Sequence, residues 1–274
     1  MSAGSVVVFS PSQYSAYTLG VVMGLLDAGV EVGGLCVRRL LSRQRLREEY
    51  RLVGNKLPRK VWKKLLRRGD PPATAAAAEH AGLRKLARRH DIRVIFCQTL
   101  NDPGVLAFLD KSVPSLVVFT GGGILRRPVL ERAGGGVVNC HLGFLPDYRG
   151  MDASLWAVLE DRLDKLGLSV HLMDEGIDTG PLLAVRPVPL EATDTSAAHL
   201  QERHESLMCE TMVETCLRFL RGEIHPRPQR ADDGRQYFRM HARLQEIAEK
   251  KLAVGARALA ASSGGGRQPG LRVS

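Results

Sequence analysis

The order of apolar and polar positions along the chain predicts alternating strands and helices. Short runs rich in Val, Ile and Phe are typical of buried parallel strands, whereas Tyr17–Ala28 has its apolar residues at helical spacing. The predicted strands are Ser5–Ser10, Val30–Val37, Ile92–Gln98, Ser115–Thr120 and Val137–His141, with half-exposed strands at Ser169–Met173 and Leu182–Pro187. The pattern predicts an α/β fold, a Rossmann-like open parallel sheet with helices on both faces, plus a small C-terminal α+β appendage.

The second part of the chain predicts a different organisation. A long amphipathic helix is expected from Asp194 to Leu220, a short extended piece or hairpin over Pro226–Arg239, and a last helix over His241–Lys251. We therefore expect a main domain over residues 1–190 and a small helical and hairpin region over 191–255. The Gly- and Ser-rich tail, 262–274, is expected to be disordered.

Composition adds few constraints on function. The chain has 274 residues, 44% hydrophobic and 25% charged, which is typical of a soluble globular protein. No stretch approaches the roughly 20 apolar residues that a membrane helix needs, and the N-terminus lacks a basic region before its apolar run. The five cysteines are scattered and form no CxxC pair, which argues against a disulfide framework and a structural zinc site. We expect free thiols, no metal and a cytoplasmic protein.

The positive charge is concentrated in one segment. The formal net charge is +10, and thirteen Lys or Arg lie between Arg38 and Arg68 against only two acidic residues. This stretch, 38–69, is predicted to be a basic helical insertion. Its charge fits either a solvated helical face or a contact with an anion, such as a phosphate or nucleic acid. The Gly-rich runs at 121–123 and 134–136 do not match the two common phosphate-binding loops. Neither run ends in Gly-Lys-Ser/Thr, and neither has the Gly-x-Gly-x-x-Gly spacing.

The candidate chemistry lies at the end of the Val137–His141 strand. Asn139 and His141 are two residues apart, so both side chains point to the same face of that strand. An amide and an imidazole at the carboxyl end of a parallel sheet are able to stabilise an oxyanion and handle a proton. Downstream, Asp174–Pro181 holds three acidic residues between glycines, one of which is a candidate partner for His141.

These motifs, in this order and spacing, resemble the 10-formyltetrahydrofolate-dependent formyltransferase family. The matching pieces are Asn139-Cys140-His141, Leu145-Pro146-Asp147-Tyr148-Arg149-Gly150, Leu155-Trp156-Ala157, Val170-His171 and Ile177-Asp178-Thr179-Gly180. The resemblance is strongest over residues 115–190. It implies a formyltransferase catalytic domain over residues 1–190 and 10-formyltetrahydrofolate as the formyl donor.

The resemblance also implies roles for individual residues. Asn139, His141 and Asp178 match the catalytic trio of the family, with Asn139 and His141 stabilising the oxyanion and Asp178 supporting His141. The implied donor-binding residues are Gly123, Ile124, Leu125, Asp174, Glu175 and Gly176. The candidate acceptor-binding residues are Tyr148, Arg149 and Met151; for Arg149, holding the turn is an equal alternative. His171 is interpreted as structural, with support of the site as its alternative.

The acceptor is the open part of the interpretation. The chain departs from the family beside the site, at Gly143-Phe144 and at Met151-Asp152-Ala153, which leaves the substrate undecided. Few residues follow Asp194 compared with the further barrel domain of enzymes that formylate methionyl-tRNA. We therefore expect transfer to a small biosynthetic amine, such as an amino sugar nucleotide. The alternatives are a formyl-folate hydrolase, or a nucleic-acid-binding protein that uses the basic helices. We expect no membrane or nucleic-acid partner, and a homodimer remains open.

Overall fold

The computed structural model describes residues 5–39, 82–230 and 232–263. Residues 40–69 of the predicted basic insertion and 264–274 of the predicted tail lie outside them, whereas Arg38 ends a strand and residues 262–263 are helical. Its strands, in chain order, are β1 (Val6–Ser10), β2 (Val32–Arg38), β3 (Arg93–Cys97), β4 (Leu116–Phe119), β5 (Val137–His141), β6 (Tyr148–Gly150), β7 (Gly167–Leu172), β8 (Leu182–Pro187) and β9 (Arg235–Tyr237). Its α-helices are α1 (Ala16–Asp27), α2 (Leu83–Arg89), α3 (Pro103–Ser112), α4 (Arg127–Leu130), α5 (Ala153–Leu159), α6 (Ala197–Leu220) and α7 (Ala242–Ser263).

The chain divides into two compact units, each made of several stretches. The first unit consists of residues 1–140, 172–175 and 212–225, and the second of residues 141–171, 176–211 and 226–274. His141 therefore belongs to the second unit, and Asn139, on the same strand, to the first. The division at residue 190 that the sequence suggests stays a prediction.

Five parallel strands form the centre of the first unit, in the order β3-β2-β1-β4-β5. All five residues of β1 are buried, as expected of a strand covered on both faces. Helix α1 covers one face, where the Thr18 hydroxyl lies 2.9 Å from that of Ser10 and 2.6 Å from that of Thr120. The opposite face carries Phe9 in a core with Phe108 of α3 and residues of α4. The predicted α/β fold with helices on both faces is confirmed.

The second unit holds two short strand pairs and a helical core. Strands β7 and β8 pair antiparallel, and β6 pairs parallel with β9. Helix α7 packs on α5, where Ala157 and Leu252 are fully buried. The ring of Tyr148 stacks on that of Tyr237 at 5.2 Å, and both hydroxyls donate to Glu160. These contacts fix β9 against β6, so the C-terminal segment is part of the unit that contains His141.

Candidate active site

Strand β5 brings the two central residues of the predicted site to its carboxyl end. Val137 and Val138 anchor the strand in the sheet, and Asn139 is the register partner of Phe119 on β4. His141 is the last residue of the strand and is buried. Because side chains alternate along a strand, Asn139 and His141 point to the same face, as the sequence predicts.

Both ring nitrogens of His141 face an oxygen atom that accepts hydrogen bonds. The Nε2 atom lies 3.0 Å from the backbone oxygen of Tyr148, and Nδ1 lies 3.4 Å from Oδ2 of Asp178. A neutral imidazole donates through only one nitrogen, so a ring that satisfies both oxygens carries a proton on each. This arrangement gives His141 a means of holding an extra proton, although it is buried.

The Asp178 carboxylate is the centre of this cluster. Its Oδ1 atom lies 3.4 Å from Nε2 of His171, and its Oδ2 atom accepts a 2.8 Å hydrogen bond from the backbone N–H of Gly150. His171, on β7, is almost fully buried, at 2% exposure. The structure therefore places two imidazoles on the two oxygens of one carboxylate, and the predicted pair of His141 and Asp178 lies within one unit.

Burial and charge act in opposite directions on these groups. Burial lowers the pKa of His141 below its ordinary value, while the Asp178 carboxylate and the Tyr148 carbonyl oppose that effect. Burial alone would raise the pKa of Asp178. The hydrogen bond from His171, the positive charge available on His141 and the Gly150 N–H outweigh it, so the pKa of Asp178 lies below its ordinary value. Asp178 is therefore an anion at neutral pH, and its charge opposes the lowering of the His141 pKa by burial.

The turn between His141 and Tyr148 is fixed from below by Ser169. The buried Ser169 hydroxyl donates to the Gly143 carbonyl at 2.7 Å and accepts from the Leu145 N–H at 2.9 Å. A Cβ atom at Gly143 would meet the His141 ring and Ala153, so only glycine fits there.

The three candidate acceptor residues are placed differently. Tyr148 is buried, and its hydroxyl is bound to Glu160, so it reaches His141 only through its backbone oxygen. Arg149 is also buried: one Nη donates to the Arg230 carbonyl, and its Nε has no hydrogen-bond partner within the part of the chain that the structure describes. The Met151 side chain is exposed, and Met151 follows Gly150, whose backbone N–H binds Asp178.

The predicted donor segment is held rigidly at the end of β4. Gly121, Gly122 and Gly123 all have positive φ, and the buried Arg38 guanidinium donates to the Gly122 carbonyl at 2.7 Å and to the Gln98 carbonyl at 3.1 Å. After the glycines, Ile124 is 80% exposed, whereas Leu125 is buried in the core. The segment thus has no side chains at 121–123 and one exposed apolar side chain at Ile124, and its role in binding the donor stays a prediction.

A second side chain holds the same segment. The Asn101 amide donates to the Ile124 carbonyl at 2.8 Å and accepts from the Arg126 N–H at 2.7 Å. Asn101 itself follows a turn that Asp102 closes by accepting from the Gln98 and Thr99 N–H groups. The backbone of residues 122–126 is therefore bound to β2 and to the β3–α3 connection.

The acidic loop after β7 contains the other predicted donor residues, and it is exposed at these positions. Asp174, Glu175 and Gly176 are exposed, and Thr179 packs so closely on Gly176 that a Cβ atom there would collide with it. Asp178 alone turns inward, with a left-handed φ of 54°. Among the described residues, no group of three or more His, Cys, Asp or Glu is arranged to hold a metal ion.

Two further residues contact Asp178. His171 is part of the Val170-His171 motif of the resemblance and is interpreted as structural with support of the site as its alternative; its Nε2 atom lies 3.4 Å from Oδ1 of Asp178. Gln229 was not identified: its amide donates to the Asp178 carbonyl at 3.0 Å and the Gly180 carbonyl at 2.6 Å.

Among the described residues, no helix has the length and apolar character that a membrane span needs.

Known proteins match the chain by sequence. The formyl transferase family matches over residues 47–216. The methionyl-tRNA formyltransferase of Roseiflexus sp. (strain RS-1) is 36% identical over 162 residues, which are 58% of this chain and 49% of that protein. The chain thus spans about half the length of the curated relatives it matches.

Solved structures match the fold. An N-formyltransferase from Helicobacter canadensis, solved with folinic acid and dTDP-3-aminofucose, has a TM-score of 0.58 at 12% identity, covering 92% of this chain and 81% of that one. Glycinamide ribonucleotide transformylase 1 from Symbiobacterium toebii has a TM-score of 0.57 at 18% identity, covering 84% and 96%. At these identities the likeness concerns the fold, whereas the family match covers more than half of the sequence. The chain belongs to the formyl transferase family.

Proposed function

We propose that this protein transfers the formyl group of 10-formyltetrahydrofolate to a primary amine. The observation that carries the proposal is the Asp178 carboxylate held between His141 and His171, at the end of the strand that also bears Asn139. Family membership supplies the reaction class, and the arrangement supplies groups suited to it: an amide, a buried imidazole and a carboxylate that orients it.

The reaction requires a new carbon–nitrogen bond and the loss of one proton from the amine. The amine nitrogen attacks the formyl carbon, and the electrons of the C=O bond move to oxygen. The Asn139 amide donates to that oxyanion, and the His141 ring, polarised by the Asp178 carboxylate, stabilises it. The attacking nitrogen then loses its proton through water to the Asp178 side of the site. The oxyanion collapses, the bond from carbon to the folate nitrogen breaks, and that nitrogen takes up a proton.

Asp178 has two tasks in this scheme. It keeps the His141 ring in the orientation that its two acceptor contacts define, and its negative charge favours the protonated ring. The backbone of 121–126, with the exposed Ile124, is the proposed contact surface for the donor. The exposed Asp174, Glu175 and Gly176 complete the set of proposed donor residues.

We propose a small biosynthetic amine, such as an amino sugar nucleotide, as the acceptor. In support, two solved structures match this fold over more than four fifths of both chains: an N-formyltransferase with dTDP-3-aminofucose bound and a glycinamide ribonucleotide transformylase. A second acceptor is favoured by a different observation, since curated relatives of 32–38% identity are methionyl-tRNA formyltransferases. The same experiment must therefore include both.

The test is a panel of amines incubated with purified protein and 10-formyltetrahydrofolate, followed by mass spectrometry for the added CO. The panel contains dTDP- and UDP-linked amino sugars, glycinamide ribonucleotide and methionyl-tRNA. We expect a formylated small amine, and about 10²–10³-fold slower turnover in Asn139→Ala, His141→Ala and Asp178→Ala. Formate release without any formylated product would indicate a hydrolase instead. Wild-type turnover in any of the three variants would refute the mechanism.

A further inference from the structure

A C-terminal segment that lies beyond the family match contacts the acidic loop. This segment, residues 226–240, follows the end of the matched region at residue 216. Arg227 and Leu182 form an isolated antiparallel bridge, with two 2.8 Å hydrogen bonds between their backbones. The segment therefore runs alongside the chain that leaves the acidic loop, and both belong to the second unit.

Gln229 is the residue of this segment that reaches Asp178. Its Nε2 atom lies 3.0 Å from the backbone oxygen of Asp178 and 2.6 Å from that of Gly180. A side-chain amide has two N–H donors, so both are used, one on each carbonyl. Together with the bridge at Leu182, these bonds fix the loop backbone from Asp178 to Leu182.

Asp178 needs such support because its backbone conformation is unfavourable. Its φ of 54° lies in the left-handed region, which is uncommon for a residue with a Cβ atom, although Asp adopts it more often than most. A residue of this kind persists only when its surroundings determine its conformation. Turning the Asp178 peptide back to an ordinary φ would withdraw the carboxylate from His141 and His171 and break the bonds of Gln229.

The same segment also holds the other contact of the carboxylate. Gly150 is the register partner of Tyr237, and the Met151 N–H donates to the Tyr237 carbonyl at 3.0 Å. Gly150 is the residue whose N–H binds Oδ2 of Asp178. Residues 226–240 thus support the main chain of Asp178 through Gln229, and the partner of its side chain through β9.

We propose that Gln229 is a positioning residue for Asp178, which holds the carboxylate against the rings of His141 and His171. The functional consequence rests on the proposed function, since it requires that Asp178 serve catalysis. The position of the carboxylate can be tested without that assumption, because the ring NMR signals of His141 and His171 depend on where it lies. The proposal gives residues beyond the family match a direct part in building the site.

The experiment replaces Gln229 by methionine, which keeps the length of the side chain and removes both donors. Gln201→Met is the matched control, because the Gln201 amide is exposed on α6 and bonds only Glu205 among the described residues. Steady-state kinetics are measured with the acceptor found above. Ring ¹⁵N signals of His141 and His171 are recorded by NMR across pH, assigned with His→Gln variants. Gln229→Asn, too short to reach both carbonyls, serves as a second variant if the methionine variant does not fold.

We expect kcat to fall about 10- to 100-fold in Gln229→Met, with KM for both substrates changed less than about threefold, since misplacing a catalytic group by about an ångström has effects of this size. We also expect the ring signals of His141 and His171 to shift, and neither readout to change in Gln201→Met. Unchanged ring signals together with wild-type kcat in Gln229→Met would overturn the proposal, even if Tm is lower, because the amide would then contribute to stability alone. If the wild-type protein transfers no formyl group, the proposed function fails, and the ring signals alone decide the position of Asp178.

Discussion

His171 and His141 contact different oxygens of the Asp178 carboxylate. The Nε2 atom of His171 lies 3.4 Å from Oδ1, whereas His141 faces Oδ2. The carboxylate is thereby fixed in two directions, and its rotation would break a contact to one ring or the other. Because His171 lies on β7 and is buried, its own position is set by the strand. Asp178 and His171 together form a rigid support for the His141 ring.

The first prediction concerns the donor nitrogen of His171. His171→Gln keeps an N–H group near the position of Nε2, whereas His171→Leu removes it. A hydrogen bond to a charged group contributes about 1.5–3 kcal/mol, so we expect kcat/KM to fall about 10- to 100-fold in His171→Leu. His171→Gln should stay within about threefold of the wild type. Equal loss in both variants, measured in the same assay, would contradict the hydrogen-bonding role.

The second prediction concerns Asn101 and the donor loop. Asn101→Ala removes the hydrogen bonds to Ile124 and Arg126, and each such bond is worth about 1 kcal/mol. We expect the Kd for 5-formyltetrahydrofolate, a stable analogue of the donor, to rise about tenfold in calorimetric titration. Asp110→Ala on the exposed face of α3 is the control, since among the described residues it breaks only a surface ion pair with Arg132. An unchanged Kd in Asn101→Ala would show that residues 122–126 do not bind the donor.

The third prediction concerns the stability provided by Ser169. Ser169→Ala leaves the Leu145 N–H and the Gly143 carbonyl without their buried partner. Such a loss costs about 1–3 kcal/mol of the free energy of unfolding, which urea denaturation measures. Ser206→Ala should change it little, because the Ser206 hydroxyl is exposed on α6. Equal urea midpoints for the two variants would argue against this role of Ser169.

The fourth prediction concerns the acid sensitivity caused by His204. Burial, with a smaller contribution from Arg203, lowers the pKa of His204 to about 4, against the opposing charge of Asp194. The unfolded chain binds a proton near pH 6.5, where the folded protein does not, so stability is lost as pH falls from about 6.5 to 4. The full difference amounts to about 3 kcal/mol at pH 4.

His204→Leu removes this proton-binding difference and should flatten the decline of Tm between pH 6.5 and 4. Among the described residues, Ser154 is the only hydrogen-bond partner of the His204 ring. The substitution therefore removes a hydrogen-bond partner from the Ser154 hydroxyl alone. The exposed His199→Gln should keep the wild-type slope. A parallel slope in His204→Leu and wild type would assign the acid sensitivity to other groups.

Sequence pattern predicted those parts of the molecule that local apolar runs determine. The strand Val137–His141, a largely buried run, and the half-exposed strand Leu182–Pro187 both have the predicted bounds. The pairing of His141 with Asp178 was predicted from the resemblance to a family, and the structure brings the two residues together. Their catalytic roles stay predictions, like those of the donor and acceptor residues.

Helix ends and long-range contacts could not be predicted in this way. The last helix was expected to end at Lys251 but continues to Ser263, since the stretch that follows is rich in Ala and Leu, which favour helix. Gly255 does not interrupt it, because Leu190 packs where a side chain would lie. The long helix α6 begins at Ala197 rather than at Asp194, whose buried carboxylate binds Arg203 and the Glu191 N–H instead. Such contacts leave no periodic signal.

The hydrogen bond from Gln229 to Asp178 joins residues 51 positions apart, and this separation has a consequence for the nascent chain. At a synthesis rate of about 5–20 residues per second, Gln229 is added roughly 3–10 seconds after Asp178. During that interval the acidic loop exists without the two amide donors that hold its left-handed residue. A ribosome-bound chain therefore contains all three residues of the proposed trio several seconds before Gln229, the proposed positioning residue of Asp178, has been added.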